Sequence, residues 1–280
     1  MMKKLLAVLL IVIMLFSLTA CSAQKQEDNS NVLVFGTSAD YAPFEFMYPD
    51  EDGNMVYGGI DVSTAQFIAD FNKMELRIEN MDFNYLLTAL NKGDFDMVLA
   101  DIEPTEKRKE ACDFSKAYYH EYPEKILVRK DDAAKFVNAE TDFAGVAVAG
   151  QAGSTKPQKI ADNLIGAECV ELALIPDMIN QLVNNKVDAC LLDYSVAVQY
   201  AKTNPDLVIC DASAVFGDQP LEVAVAVAKG DPKGLLPKIN AAIDEMEKSN
   251  MIDQFIADAD ELSNVWAEVS GIAPEGYTPD

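Results

Sequence analysis

An α/β fold of two similar lobes, each a mixed but mainly parallel sheet flanked by helices, is what this 280-residue sequence predicts. Three observations predict it. Short apolar runs such as "VLVF", "MVLA", "VAVA" and "CLLD" alternate with segments of helical periodicity, the pattern of parallel strands covered on both faces. The body of the chain is long enough for two domains. Two pairs of stretches also echo each other in the same order. "NVLVFGTSADYAP" (Asn31 to Pro43) lines up with "GVAVAGQAGSTKP" (Gly145 to Pro157), setting Gly36 against Gly150. "ALNKGDFDMVLAD" (Ala89 to Asp101) lines up with "QLVNNKVDACLLD" (Gln181 to Asp193), setting Asp96 against Asp188 and Asp101 against Asp193.

The elements follow in chain order. Lys3 and Lys4 precede a nearly unbroken apolar run, Leu5 to Leu18, and then Thr19-Ala20-Cys21. This reads as an export leader over residues 1–20, with lipid attachment at Cys21. An uncleaved anchor helix is the other reading; both place the body outside the cytoplasm at a membrane surface. Residues 21–31, "CSAQKQEDNSN", are polar and read as a flexible tether. Each echoed strand then ends in glycine and a small polar loop. Ile60, Phe67, Ile68 and Phe71 recur at helical spacing, which predicts a helix between Asp61 and Met74. Asp96 and Asp188, repeated at strand starts, read as structural, and Trp266 as packing.

Composition narrows the function. Loss of the leader removes Lys3 and Lys4 and takes the formal charge from −24 to −26. A chain so acidic argues against nucleic acid and anionic lipid headgroups as partners. The single histidine, His120, argues against a histidine-based triad or a zinc site. Of five cysteines, the four after Cys21 (Cys112, Cys169, Cys190 and Cys210) match no metal spacing, and Cys190 lies in an apolar run. A disulfide is open to an exported protein.

Open sheets of this kind bind ligands beyond the carboxyl ends of their strands. The residues there are Thr37, Ser38, Asp40 and Tyr41; Asp101, Glu103, Thr105 and Arg108; Gln151, Ser154 and Thr155; and Asp193. Arg108 carries a planar donor fork suited to a carboxylate or phosphate. Asp193 suits an ammonium, and Ser154 and Thr155 add donors. A cation and an anion held apart match the two ends of a free α-amino acid. Charged hydrogen bonds of roughly 1.5–3 kcal/mol each would supply much of a micromolar affinity, about −8 kcal/mol. Tyr41 and Phe83 could cover the side chain. "GQAGSTK" is not a phosphate loop, because Lys156 follows the hydroxyl residues instead of preceding them. Lys107 and Lys109 read as solvated helix residues. Phe114-Ser115 and Tyr118-Tyr119 read as packing and hinge residues.

At this point the chain resembles the solute-binding proteins of ABC transporters for polar amino acids. The resemblance is carried by "GTSADYAPFEF" (Gly36 to Phe46), "GGIDVSTAQFIA" (Gly58 to Ala69), "MDFNYLLTALNKGDFDMVLA" (Met81 to Ala100), "PTEKRKEACDFSKAYY" (Pro104 to Tyr119), "GQAGSTK" (Gly150 to Lys156) and "KVDACLLDYSVA" (Lys186 to Ala197), in family order. It implies a periplasmic-binding-protein-like fold without cofactor or metal, with lobe 1 over 32–122 and 221–272, lobe 2 over 123–220, and a tail over 273–280. Two hinge crossings would lie near Glu121 to Lys125 and Gly217 to Leu221. It implies that Arg108 and Thr155 hold the ligand α-carboxylate, that Asp193 takes the α-ammonium, and that Tyr41 and Phe83 stack on the side chain. A monomer closing by its hinge would deliver the amino acid to a membrane permease. Asp101 and Glu103 stand where family members often carry Ser, Gly or Thr, and Ser38 stands where cation-selective members carry an acid. The extra acids favour a neutral polar or cationic ligand. A sensory binding protein without transport, or a dehydratase using Glu103, are the alternatives.

Overall fold

The computed structural model describes residues 31–269, with side chains through residue 267. The leader, Cys21, the tether up to residue 30 and the tail lie outside the described residues. Among the described residues, no helix is long and apolar enough to cross a membrane.

The chain opens with β1 (Val32–Thr37), β2 (Asp40–Tyr41), β3 (Glu45–Pro49) and β4 (Met55–Gly58), then α1 (Ile60–Phe71), β5 (Glu75–Asn80), α2 (Leu86–Lys92), β6 (Met97–Val98), α3 (Glu106–Ala111) and β7 (Cys112–Glu121). It continues with β8 (Lys125–Arg129), β9 (Ala147–Gln151), α4 (Lys156–Asn163), β10 (Glu168–Leu172), α5 (Ile175–Val183), β11 (Ala189–Leu192), α6 (Tyr194–Thr203), β12 (Leu207–Cys210) and the short α7 (Ser213–Phe216). It returns through β13 (Leu221–Ala228) and ends in α8 (Leu236–Lys248) and α9 (Met251–Val269).

Two five-stranded sheets result, in the orders β5-β1-β6-β13-β7 and β10-β9-β11-β8-β12, and β2-β3-β4 form a small meander. The two large sheets share one plan. In each, three parallel strands are followed by a strand running the other way, β13 against β6 and β8 against β11. The chain crosses between them after Glu121 and again before Leu221, so β13 returns to the first sheet. There Val223 to Val227 are all within 1% of complete burial. This explains why the run is apolar on both faces instead of alternating. Each such valine contributes roughly 1.5–3 kcal/mol of burial.

The helix expected between Asp61 and Met74 is α1. Trp266 on α9 packs at 6.0 Å from Phe46 and 5.8 Å from Tyr200, so α9 joins the meander to α6 of the second lobe. Cys112, Cys190 and Cys210 are buried free thiols, and Cys169 is a free exposed one.

The paired aspartates do the same job twice. The Asp96 N–H donates to the Val34 carbonyl (2.8 Å) and its carboxylate accepts from the Val34 N–H (2.7 Å). The Asp188 N–H donates to the Ala147 carbonyl (2.8 Å) and its carboxylate accepts from the Ala147 N–H (3.2 Å). Each aspartate thus fastens the strand it leads to the neighbouring parallel strand, β1 or β9. The tethers also correct the alignment of the other echo. Val34 is the counterpart of Ala147, so Gly36, paired with Val98, corresponds to Ala149, paired with Cys190, one residue away from Gly150. The two glycines have separate causes. A Cβ on Gly36 would stand 2.3 Å from the Phe95 ring, while one on Gly150 would meet the tip of Ile160 at 3.0 Å.

Candidate ligand-binding cleft

The loops that follow β1, β6, β9 and β11 all leave the carboxyl ends of their strands and meet between the two sheets. They enclose a cavity lined from the first lobe by Tyr41, Phe83, Ala100, Asp101, Glu103 and Arg108, and from the second by Gln151, Ser154, Thr155, Lys156 and Asp193. Its volume is about 10 Å³, room for about one water. The lobes are therefore pressed together here. Gly153 marks the closeness: with φ of 80°, it sits where a Cβ would come within 2.7 Å of Asn84 from the opposite lobe.

Arg108 points into this space from α3. Thr105 caps that helix, its Oγ1 accepting from the Arg108 N–H at 3.3 Å. The guanidinium donates from Nη1 to the Glu103 carbonyl (3.0 Å) and lies over the Phe83 ring, 5.5 Å from its centroid, a cation–π contact. Lys107 and Lys109 are exposed on the same short helix. Only the middle cation of the three thus turns inward.

Asp193 faces it from the second lobe as the residue before α6. Its Oδ2 accepts from the Tyr41 hydroxyl at 2.5 Å, a bond between lobes. Thr155 Oγ1 donates across the cleft to Glu103 Oε1 (2.9 Å). Ser154 Oγ is turned back onto its own loop, donating to the Gln151 carbonyl (2.7 Å) and accepting from the Lys156 N–H (3.1 Å).

Two residues expected at the ligand are placed elsewhere. Thr105 is spent as the helix cap. Ser38 is buried, with its hydroxyl donating to Asp40 Oδ1 (3.1 Å), and it does not line the cavity. A position just past a strand end does not by itself say where its side chain points. Asp40 makes a bridge of its own, its Oδ2 accepting from the Ile175 N–H at 2.9 Å.

Asp101 is held with φ of +44°, in the left-handed region that L-residues rarely adopt. Its N–H donates to Asp61 Oδ2 (2.8 Å). Both its carboxylate oxygens are buried without a hydrogen-bond partner among the described residues. Burial, with Asp193 and Glu121 nearby, pushes this carboxyl well above the usual carboxylate range.

Lys156 is the residue that sequence reasoning passed over. It begins α4 and is 5% exposed. Its Nζ lies 2.7 Å from Asp193 Oδ2, 3.6 Å from Glu103 Oε1 and 3.7 Å from Glu124 Oε1. The carboxylates of Glu103, Glu124 and Asp193 converge closely enough to hold a metal ion, and the lysine ammonium stands among them instead. Lys159, one turn on, pairs with Glu124 and lies 3.7 Å from Glu103. Burial pulls the Lys156 ammonium toward neutrality, but Asp193, Glu103 and Glu124 outweigh it and hold the group charged, above its ordinary range. Burial likewise raises Glu103, but Lys156 and Lys159 prevail and hold it below its ordinary value. One signal was available in the sequence: a lysine at the first position of a helix opposes the helix dipole, so its charge must be answered elsewhere.

These features define a class: a two-lobed α/β binding protein whose interlobe cleft holds charges of both signs. The sequence places it further. Residues 33–258 match the model of the bacterial extracellular solute-binding proteins, family 3, and the chain belongs to that family. It is 34% identical over 260 residues to the arginine-binding extracellular protein ArtP of Bacillus subtilis, covering 90% of this chain and 96% of the relative. It is 27% identical to a probable histidine-binding protein of Campylobacter jejuni, over 91% of this chain and 98% of the relative. Among solved structures, the amino acid ABC transporter substrate-binding protein AbpA of Streptococcus pneumoniae, bound to L-arginine, superposes with a TM-score of 0.78 at 30% identity, over 84% of this chain and 96% of that one. The protein is thus a polar amino-acid solute-binding protein of the ABC-transporter type.

Proposed function

We propose that the cleft binds a free cationic amino acid, arginine first among them, outside the cytoplasm and delivers it to an ABC importer by closure of the lobes. One observation carries this reading. Arg108 shares a cavity with three acids, Asp101, Glu103 and Asp193, and among the described residues the Asp101 oxygens have no hydrogen-bond partner. A cationic side chain would supply that partner, since a buried carboxylate is costly until it is paired. Arg108 and Thr155 would hold the α-carboxylate, and Asp193 the α-ammonium. Asp101 would take the side-chain cation, between Tyr41 and Phe83. The relatives named for arginine and histidine support the same class of ligand.

In this reading the moving bodies are 32–122 with 221–272, and 123–220. The protein acts as a monomer and is held to the membrane through lipid on Cys21, as the leader motif supports. The dehydratase alternative needs an acid poised near neutrality, and Glu103 is shifted the other way.

Calorimetric titration of the mature, unfolded-and-refolded protein with the free amino acids tests the reading. One cationic amino acid should bind tightly, and Arg108→Ala should weaken it at least about hundredfold, the loss of roughly 3 kcal/mol of charged hydrogen bonding. Binding of none of them, or binding indifferent to Arg108, would overturn it.

A further inference from the structure

The Lys156 ammonium lies 2.7 Å from Asp193, in the position an α-ammonium would need in order to use that carboxylate. The contact is buried from both sides, with side-chain exposures of 7% and 5%. Asp193 Oδ2 already takes both the Tyr41 hydroxyl and Lys156 Nζ, so a ligand ammonium must displace the lysine to use that oxygen. Lys156 also has somewhere to go, because Glu103 and Glu124 lie 3.6 and 3.7 Å from its Nζ. A small retreat would give up Asp193 while keeping the two carboxylates the ammonium already meets, Glu103 and Glu124.

We propose that Lys156 is a specificity-determining residue that serves as a tethered stand-in for the ligand ammonium, occupying Asp193 in the free protein and yielding it when an amino acid binds. The inference rests on the amino-acid reading above and deepens it. A ligand α-ammonium then gains only the difference between its own contact with Asp193 and the one Lys156 gives up. Recognition of the α-amino group is correspondingly muted, and discrimination shifts to the carboxylate at Arg108 and the side chain at Asp101. Across the cleft, Lys156 and Thr155 of the second lobe also meet Glu103 of the first.

Two measurements on the unmodified protein test this. The first compares arginine with 5-guanidinopentanoate, which is arginine without its α-amino group. Removal of that group should weaken binding less than tenfold; a loss of hundredfold or more would overturn the proposal. The second is reductive methylation of the refolded, ligand-stripped protein, read by mass spectrometry. Lys156 should react at least tenfold more slowly than the exposed Lys107; equal rates would overturn the proposal. Lys156→Gln adds a third readout. Arginine should bind this variant more tightly, and removal of the α-amino group should now cost about hundredfold; the same cost in both proteins contradicts the stand-in role. If no amino acid binds while Lys156 remains protected, the amino-acid reading fails and the occupied Asp193 stands.

Discussion

Asp101 and Asp193 occupy the same place in the two lobes, five residues after the matched Asp96 and Asp188, yet they have opposite environments. Asp193 has an ordinary backbone, with φ of −62°; it leads directly into α6, accepts from Tyr41 and pairs with Lys156. Asp101 is twisted to φ of +44°, is followed by an extended loop before α3, and buries two unpartnered oxygens. One acid is satisfied within the chain, and the other is held at a cost in strain and desolvation. Stored costs of this kind gather at functional sites, and here the cost falls on the lobe that also carries Arg108.

The contrast is most sharply tested by stability. Asp193→Asn removes the nearest partner of a buried ammonium but leaves Glu103 and Glu124 at 3.6 and 3.7 Å, so the cost should fall below the about 3–5 kcal/mol of a buried pair broken outright. Thermal or urea unfolding should show a clear loss. Asp101→Gly should do the reverse. It relieves the left-handed conformation and deletes an unpaired buried carboxyl, so a gain of about 1 kcal/mol is expected. The same variant should bind arginine about tenfold more weakly, the usual exchange of stability for function. If both variants destabilise alike, the two acids are equivalent and the contrast is broken.

A smaller effect concerns the acid behind Asp101. Asp61 is fully buried, and its burial raises its carboxyl to about 6, against the lowering effect of hydrogen bonds from Tyr118 and the Asp101 N–H. A raised carboxyl binds its proton more readily folded than unfolded. Its contribution is therefore complete below pH about 4 and is lost as pH rises through about 6. Relative to Asp61→Asn, the unmodified protein should lose on the order of 2–3 kcal/mol across that window. A difference between the two that does not vary with pH would show that Asp61 is not raised.

Much of this was legible before any coordinates. Apolar strands separated by helical periods gave the two-sheet plan, because burial on both faces leaves its mark in composition. The matched aspartates were legible because each makes a local backbone tether. The match of Gly36 to Gly150 misled by one residue, since each glycine answers a different neighbour. Tyr41, Arg108 and Asp193, picked out by their positions past strand ends, and Phe83, picked out as a side-chain cover, all line the cavity between the lobes. Ser38 and Thr105, picked out on the same rule, do not line it, because the rule fixes where a residue sits but not its rotamer. Lys156 was missed because its partners, Glu103, Glu124 and Asp193, are scattered in sequence and meet only in the folded chain. The orphaned carboxylate of Asp101 is likewise a property of packing, invisible in any single segment.

Arginine and citrulline have nearly the same shape and differ at the side-chain end by one charge. Calorimetric titration of the stripped protein with both, at pH 7.5, is the most direct test of a cleft built for a cationic amino acid. Arginine should bind at least tenfold more tightly than citrulline, and Asp101→Asn should narrow that gap. Equal binding of the two, or a preference for citrulline, would contradict the assignment of Asp101 to a side-chain cation.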